Sequence, residues 1–308
     1  EMLTRDWSSD VCSSDLNFEL APGADPAESL LAIPTSYLQI VHSDDDGVTW
    51  SKPRDLNPQL KQPWMRFLGT CPGNGIALRH GPHAGRLVVP LYFNNDRNWL
   101  AMCATVAYSD DHGQTWRLSP GPNEGRATSD GQLDPQTFVD ETWSLHEAAV
   151  VERQDGVLLL FMRNQHPHGR VAVSESHDAG QTWGAIRFDE DLPEIWCQPN
   201  AICLPSAEGE DRIVFANASL MLPFRGCGVI RLSLDGGRTW KRSRTFNPGH
   251  YVYQCMCVLP DGRIGLLWEN ECQGLYFSRL PLSWFDAGIE AIEPHTTADA
   301  NADRKSVV

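Results

Sequence analysis

Apolar residues along this chain gather in short runs, each opening on a Gly or Asp turn. The runs are GRLVVPLYF (Gly85–Phe93), GVLLLFMR (Gly156–Arg163), DRIVFAN (Asp211–Asn217) and GRIGLLWE (Gly262–Glu269). Each has strand length and is bounded by turn residues. No long stretch follows a 3.6-residue period, so little helix is expected. The longest purely apolar run, Val157 to Met162, falls far short of the roughly 20 residues needed to span a membrane.

Between the runs one motif recurs: SDDDGVTW (Ser43–Trp50), SDDHGQTW (Ser109–Trp116), SHDAGQTW (Ser176–Trp183) and SLDGGRTW (Ser233–Trp240). The common form is S-x-D-x-G-x-T-W, with copies offset by 66, 67 and 57 residues. A period of this length marks stacked supersecondary units. The motif reads as a hairpin turn. In each copy Ser (Ser43, Ser109, Ser176, Ser233) and Asp (Asp45, Asp111, Asp178, Asp235) can bond nearby backbone N–H groups. Gly47, Gly113, Gly180 and Gly237 supply positive φ. Trp50, Trp116, Trp183 and Trp240 begin the next strand and pack into the sheet unit. Turns explain the acidic triplet Asp44–Asp46 better than calcium does. Short strands with this period predict an all-β fold of four-stranded blades, a β-propeller. The polar stretch Ser119–Asp140 reads as a long loop between blades or over an active site.

Composition narrows the function. The 25 Lys and Arg against 40 Asp and Glu give a net charge of −15, which argues against nucleic acid and anionic lipid as partners. An anionic substrate would need positive charge gathered in one place. The nine cysteines fit no zinc spacing; Cys197/Cys203 and Cys255/Cys257 are not CxxC pairs. Buried free thiols are favoured over a disulfide framework, because a chain this long can build its own core. His166 and His168 flank a Pro in a turn and read as loop residues, not metal ligands. There is no signal-peptide pattern. The chain opens with Glu1, and residues 1–16, EMLTRDWSSDVCSSDL, resemble a translated sequencing-adapter read. The terminal RKSVV reads as a similar scar. Both are set aside, Cys12 with them. Residues 17–290 are expected to form an incomplete propeller and 291–308 a disordered tail.

The repeats resemble the Asp-boxes, or BNR repeats, of the sialidase superfamily. The stretch KQPWMRFLGTCPGNGIALRHGPHAGRLVVPLYF (Lys61–Phe93) resembles that of bacterial exo-α-sialidases of glycoside hydrolase family 33. The likeness runs from about Ser36 to Phe285. It implies a six-bladed β-propeller of the sialidase type, here with roughly its first blade missing and about five blades present. It implies hydrolysis of terminal sialic acids from glycoproteins, glycolipids and oligosaccharides, with retention and without metal or organic cofactor. By family, the location would be secreted, periplasmic or cell-surface.

The family binds the sugar carboxylate with three arginines, whose planar forks suit a carboxylate. It attacks with a Tyr activated by a Glu, and an Asp acts as acid/base. Most glycosidases use two carboxylates instead, but a carboxylate nucleophile would approach an already anionic substrate. The matching positions are Glu147 in HEAAVVERQDG, and Arg163 sixteen residues later. Arg225 lies eight before Ser233, and Tyr253 eight before Asp261. Glu269 lies sixteen after Tyr253, where the family orients its first arginine. Gln198 matches a Gln near this position in the family and is expected to line the pocket as a substrate-binding residue. Tyr251 competes with Tyr253 for the nucleophile's place, and Gln254 stands where the family usually has Ser. The first arginine and the acid/base Asp find no match; Asp25 stays unassigned. This chain as written is therefore expected to be nearly inactive. Two other readings remain: an intramolecular trans-sialidase that uses the same residues, and a non-catalytic Asp-box propeller that binds glycan or protein.

Overall fold

A computed structural model describes residues 36–286, apart from 130, 206–209, 222–223 and 271–272. The expectations for residues 1–16, Asp25 and the tail after Ala291 lie outside the described residues.

The apolar runs become the second strands of four antiparallel sheets. The first sheet orders Met65–Thr70, Leu87–Asn95, Met102–Ser109 and Arg117–Leu118, with Ile76–Ala77 pairing beside it on Leu87–Asn95. The second orders Leu145–Glu152, Leu158–Asn164, Arg170–Ser176 and Arg187–Pro193. The third orders Asn200–Cys203, Ile213–Met221, Arg225–Ser233 and Arg242–His250. The fourth has Gln254–Val258, Ile264–Glu269 and Leu275–Leu280. The first strands of the second, third and fourth sheets lie side by side around a common axis, the arrangement of propeller blades. Among the described residues the α-helix is one turn, Asn57–Leu60.

The first three blades are covered on both faces, which explains continuous apolar runs where a half-exposed strand would alternate. Leu158, Leu160 and Met162 pack on the first blade's Val88, Val106 and Met102. Their neighbours Leu159 and Phe161 point the other way, against Ile213, Phe215 and Trp240 of the third blade. A third seam joins Ile230 and Leu232 to Met256, Ile264 and Leu266.

The boxes fold as the turn chemistry dictates, joining third to fourth strands. In Ser109–Trp116 the Ser109 hydroxyl donates to Asp111 Oδ1 at 2.8 Å and accepts from the Gly113 N–H at 2.8 Å. Asp111 accepts from the Thr115 N–H at 2.8 Å and the Thr115 hydroxyl at 2.6 Å. The four glycines have φ of 84°, 82°, 86° and 78°. The first box lies in a two-stranded hairpin, Gln39–Ile40 with Arg54–Asp55, equivalent to the outer half of one more blade. The described residues thus hold four blades and this hairpin, against the five of six blades expected.

Trp116, Trp183 and Trp240 fill the seams between successive units. Trp50 does not: its ring is 62% exposed, because no described unit lies on that side of its hairpin. The expectation of a packed ring fails there. Of the seven described cysteines only Cys71, Cys103 and Cys197 are buried; Cys257 is exposed and the other three are half-buried. The expected burial holds for part of the set. His166 and His168 sit in the turn after Asn164, where His166 stacks on Phe188 at 4.5 Å.

Candidate active site

The first strands of the blades begin at one end of the axis, and the predicted residues converge there. A register irregularity in the second blade creates the first contact. Leu145 pairs Asn164 and Ala148 pairs Met162, so His146 and Glu147 together oppose the single residue Arg163. This is a β-bulge, a device that re-aims a side chain. It brings the fully buried Glu147 to 2.6 Å from Arg163, between Oε2 and Nη1.

The same Nη1 donates to the Tyr253 hydroxyl at 3.3 Å. Arg225 lies over the Tyr253 ring, 5.4 Å from its centroid, and donates to the Trp196 carbonyl at 3.5 Å. Burial opposes charge on Arg163, but the Glu147 carboxylate outweighs it and holds the guanidinium well above its ordinary pKa. At Arg225 burial also works against the charge, and Cys197 and Tyr253 reverse the shift. Both guanidinium groups are therefore fixed cations.

Backbone bonds fix the tyrosine. The Tyr251 N–H reaches the Arg225 carbonyl at 3.4 Å, Val252 reaches Glu269 at 3.1 Å, and Glu269 returns to Tyr253 at 3.1 Å. Tyr251 is fully buried and stacks on Trp268 at 5.6 Å. That ring fits because position 228 is glycine: a Cβ there would come within 2.5 Å of the Tyr251 ring. Tyr253 is half-buried and lies between the two arginines; Tyr251 is packing.

Glu269 is half-buried beside Tyr253, its strand partner through the backbone. Gln198 is fully buried. Its Nε2 donates to the Pro72 carbonyl at 2.9 Å, and its Oε1 accepts from the Gln254 N–H at 3.3 Å. This places Gln198 behind the site as a buttress rather than on its surface. Gln254, where the family usually has Ser, completes it by donating to Gln198 and Ala216 carbonyls at 2.9 and 3.0 Å.

Three residues escaped the sequence reading. His146 is buried beside the arginine, and burial together with Arg163 pushes it down to about 3, so it is neutral. Trp196 is 58% exposed with φ of 63°, and its carbonyl is the one Arg225 reaches. Glu194 is buried behind Arg163. Only the bulge and the crossing between blades bring these groups in, and neither has a sequence signature. A cavity of about 620 Å³ opens toward the other end of the inner strands, lined by Asn74, Glu152, Cys203 and Cys257. None of the charged cluster lines it, and its carboxylate Glu152 is committed to the Arg79 and His80 N–H groups at 2.7 and 3.0 Å. The gathered positive charge therefore lies with the cluster at the strand starts, away from this cavity.

Residues 27–266 match the BNR repeat-like domain. A sialidase of Micromonospora viridifaciens is 34% identical over 85% of this chain and 37% of its own length. An anhydrosialidase of Macrobdella decora is 31% identical over 78% of this chain and 30% of its own. Among solved structures, the Hadza microbial sialidase Hz136 superposes with a TM-score of 0.63 at 29% identity, covering 82% of this chain and 45% of that one. The chain thus spans less than half the length of these relatives. Among the described residues no helix is long and apolar enough to cross a membrane.

Proposed function

This chain belongs to the family of BNR repeat-like domains, and from that premise we propose that it is part of an exo-α-sialidase catalytic domain, a six-bladed propeller acting on sialylated glycans. The contact of Arg163 with both Glu147 and Tyr253, at 2.6 and 3.3 Å, carries the reading. Arg163 and Arg225 bind the sugar carboxylate through charge-assisted hydrogen bonds. Tyr253 attacks the anomeric carbon while Glu147 takes its proton. The bond to the leaving oxygen breaks, and that oxygen must receive a proton. Water then displaces the tyrosine, so two inversions give net retention. Arg163 at the Tyr253 hydroxyl and Arg225 over its ring set two cations beside the attacking residue.

No aspartate among the described residues is assigned as the acid for the leaving oxygen, so turnover by this chain is expected to be low. The test is release of a fluorogenic sialoside. Tyr253→Phe should lower any turnover by at least ~100-fold with an unchanged melting temperature. Equal turnover would remove Tyr253 from the mechanism. A second reading uses the same residues: the M. decora relative is an anhydrosialidase, and a leech intramolecular trans-sialidase superposes with a TM-score of 0.65 at 27% identity. NMR of the released sugar separates a free sialic acid from an anhydro product.

A further inference from the structure

Behind the arginines the wall of the site carries a second carboxyl group. Glu194 lies where the chain crosses from the second blade to the third, and its N–H bonds the Gly169 carbonyl at 3.1 Å. Its side chain is 7% exposed. Oε1 accepts from the Cys197 N–H at 3.0 Å. Oε2 is buried and has no hydrogen-bond partner, and the same is true of Arg163 Nε. An ionised carboxylate rarely leaves an oxygen buried and unmatched.

The groups facing Glu194 explain how it is tolerated. The strand Leu145–Glu152 contributes Glu147, a like charge, and Leu158–Asn164 contributes Arg163. Its own segment contributes the Trp196 and Cys197 N–H groups. Cys197 in turn senses Arg225, and burial pushes its thiol up to about 12, so it carries no charge in the working range. With Glu194 neutral, Glu147, Arg163 and Arg225 sum to one positive charge. With Glu194 ionised they sum to none.

We propose that Glu194 is a neutral carboxylic acid in the working site and that its ionisation switches off binding of the substrate carboxylate. The proposal rests on reading Arg163 and Arg225 as the carboxylate-binding pair. Burial moves Glu194 up to about 8, against the pull of Arg163 and the backbone donors. Only the neutral fraction binds, so apparent affinity falls with that fraction.

The experiment measures binding of N-acetylneuraminic acid to the whole chain between pH 6 and pH 9, for the native protein and Glu194→Gln. The native dissociation constant should rise about tenfold from pH 7 to pH 9, while the Gln variant stays level within about twofold. The same alkaline loss in both proteins, or none in the native chain, overturns the switch. Absence of binding by both at pH 6 removes the reading of the arginines, and the switch with it. Should the variant not fold, carbon-13 NMR of the native chain still decides. A glutamate carboxyl titrating near 8 is expected. If every carboxyl titrates below pH 6, Glu194 is ionised throughout and the proposal fails.

Discussion

The box aspartates show how one residue type can hold a turn. Burial is negligible at Asp45 and Asp111, yet both carboxyl groups sit at about 2, held down first by the following Thr hydroxyl, then by its N–H and by the Ser hydroxyl. A depressed pKa stabilises the ionised folded form. That contribution is complete above the ordinary carboxylate value near 4 and is lost as pH falls toward 2. Asp111→Asn should therefore lower the melting temperature at pH 7, and the gap to the native chain should shrink below pH 3. An undiminished gap in acid would show that the turn depends on shape rather than charge. These residues were legible in the sequence because a turn is local and its donors lie within four residues. Tyr253 was singled out for a different reason, its place eight residues before Asp261 in a stretch that resembles the sialidase family. Glu194 was not legible: what makes it unusual is burial between blades, which no spacing records.

At the scale of the element, the box tryptophans separate what the motif specifies from what packing specifies. All four copies make the same turn, yet Trp240 is 6% exposed and Trp50 62%. Trp240 lies among Phe161 and Phe215, with ring centroids at 5.9 and 5.6 Å. Removing a buried aromatic costs about 3–5 kcal/mol. Trp240→Ala should lose that much in a urea titration, whereas Trp50→Ala should lose less than ~1 kcal/mol because most of its ring is already in water. Equal losses would mean that Trp50 is covered in solution. The strands themselves were legible, since runs such as Val157–Met162 are buried on both faces and read as unbroken apolar stretches. Strand pairing was not: the two-against-one register at His146 and Glu147 depends on the partner strand. That register sets Glu147 opposite Arg163, so the step that builds the site is the one a single strand's sequence cannot show.

Across the whole molecule, the two outermost units expose apolar surface that the middle seams cover. Val48 and Trp50 stand out at one end, at 81% and 62% exposed. On the fourth blade Leu267, Leu275 and Phe277 stand out at 45%, 72% and 53%. That blade also ends in the strand Leu275–Leu280, which among the described residues pairs on one side only. An unpaired edge beside exposed large apolar side chains is a template for association. The 308-residue chain should therefore self-associate at micromolar concentration in light scattering. Leu275→Lys with Phe277→Lys should reduce association, because charge on an edge strand opposes pairing. A monodisperse monomer with a sharp high-temperature melt would show that these faces are satisfied in solution, and would contradict an incomplete propeller. The acidic charge of −15 bears on the same question. Like charge spread over the molecule resists association, so added salt, which screens it within about 8–10 Å, should promote clustering of the native chain. Salt should have little effect on the doubly substituted chain, whose apolar edge is blocked.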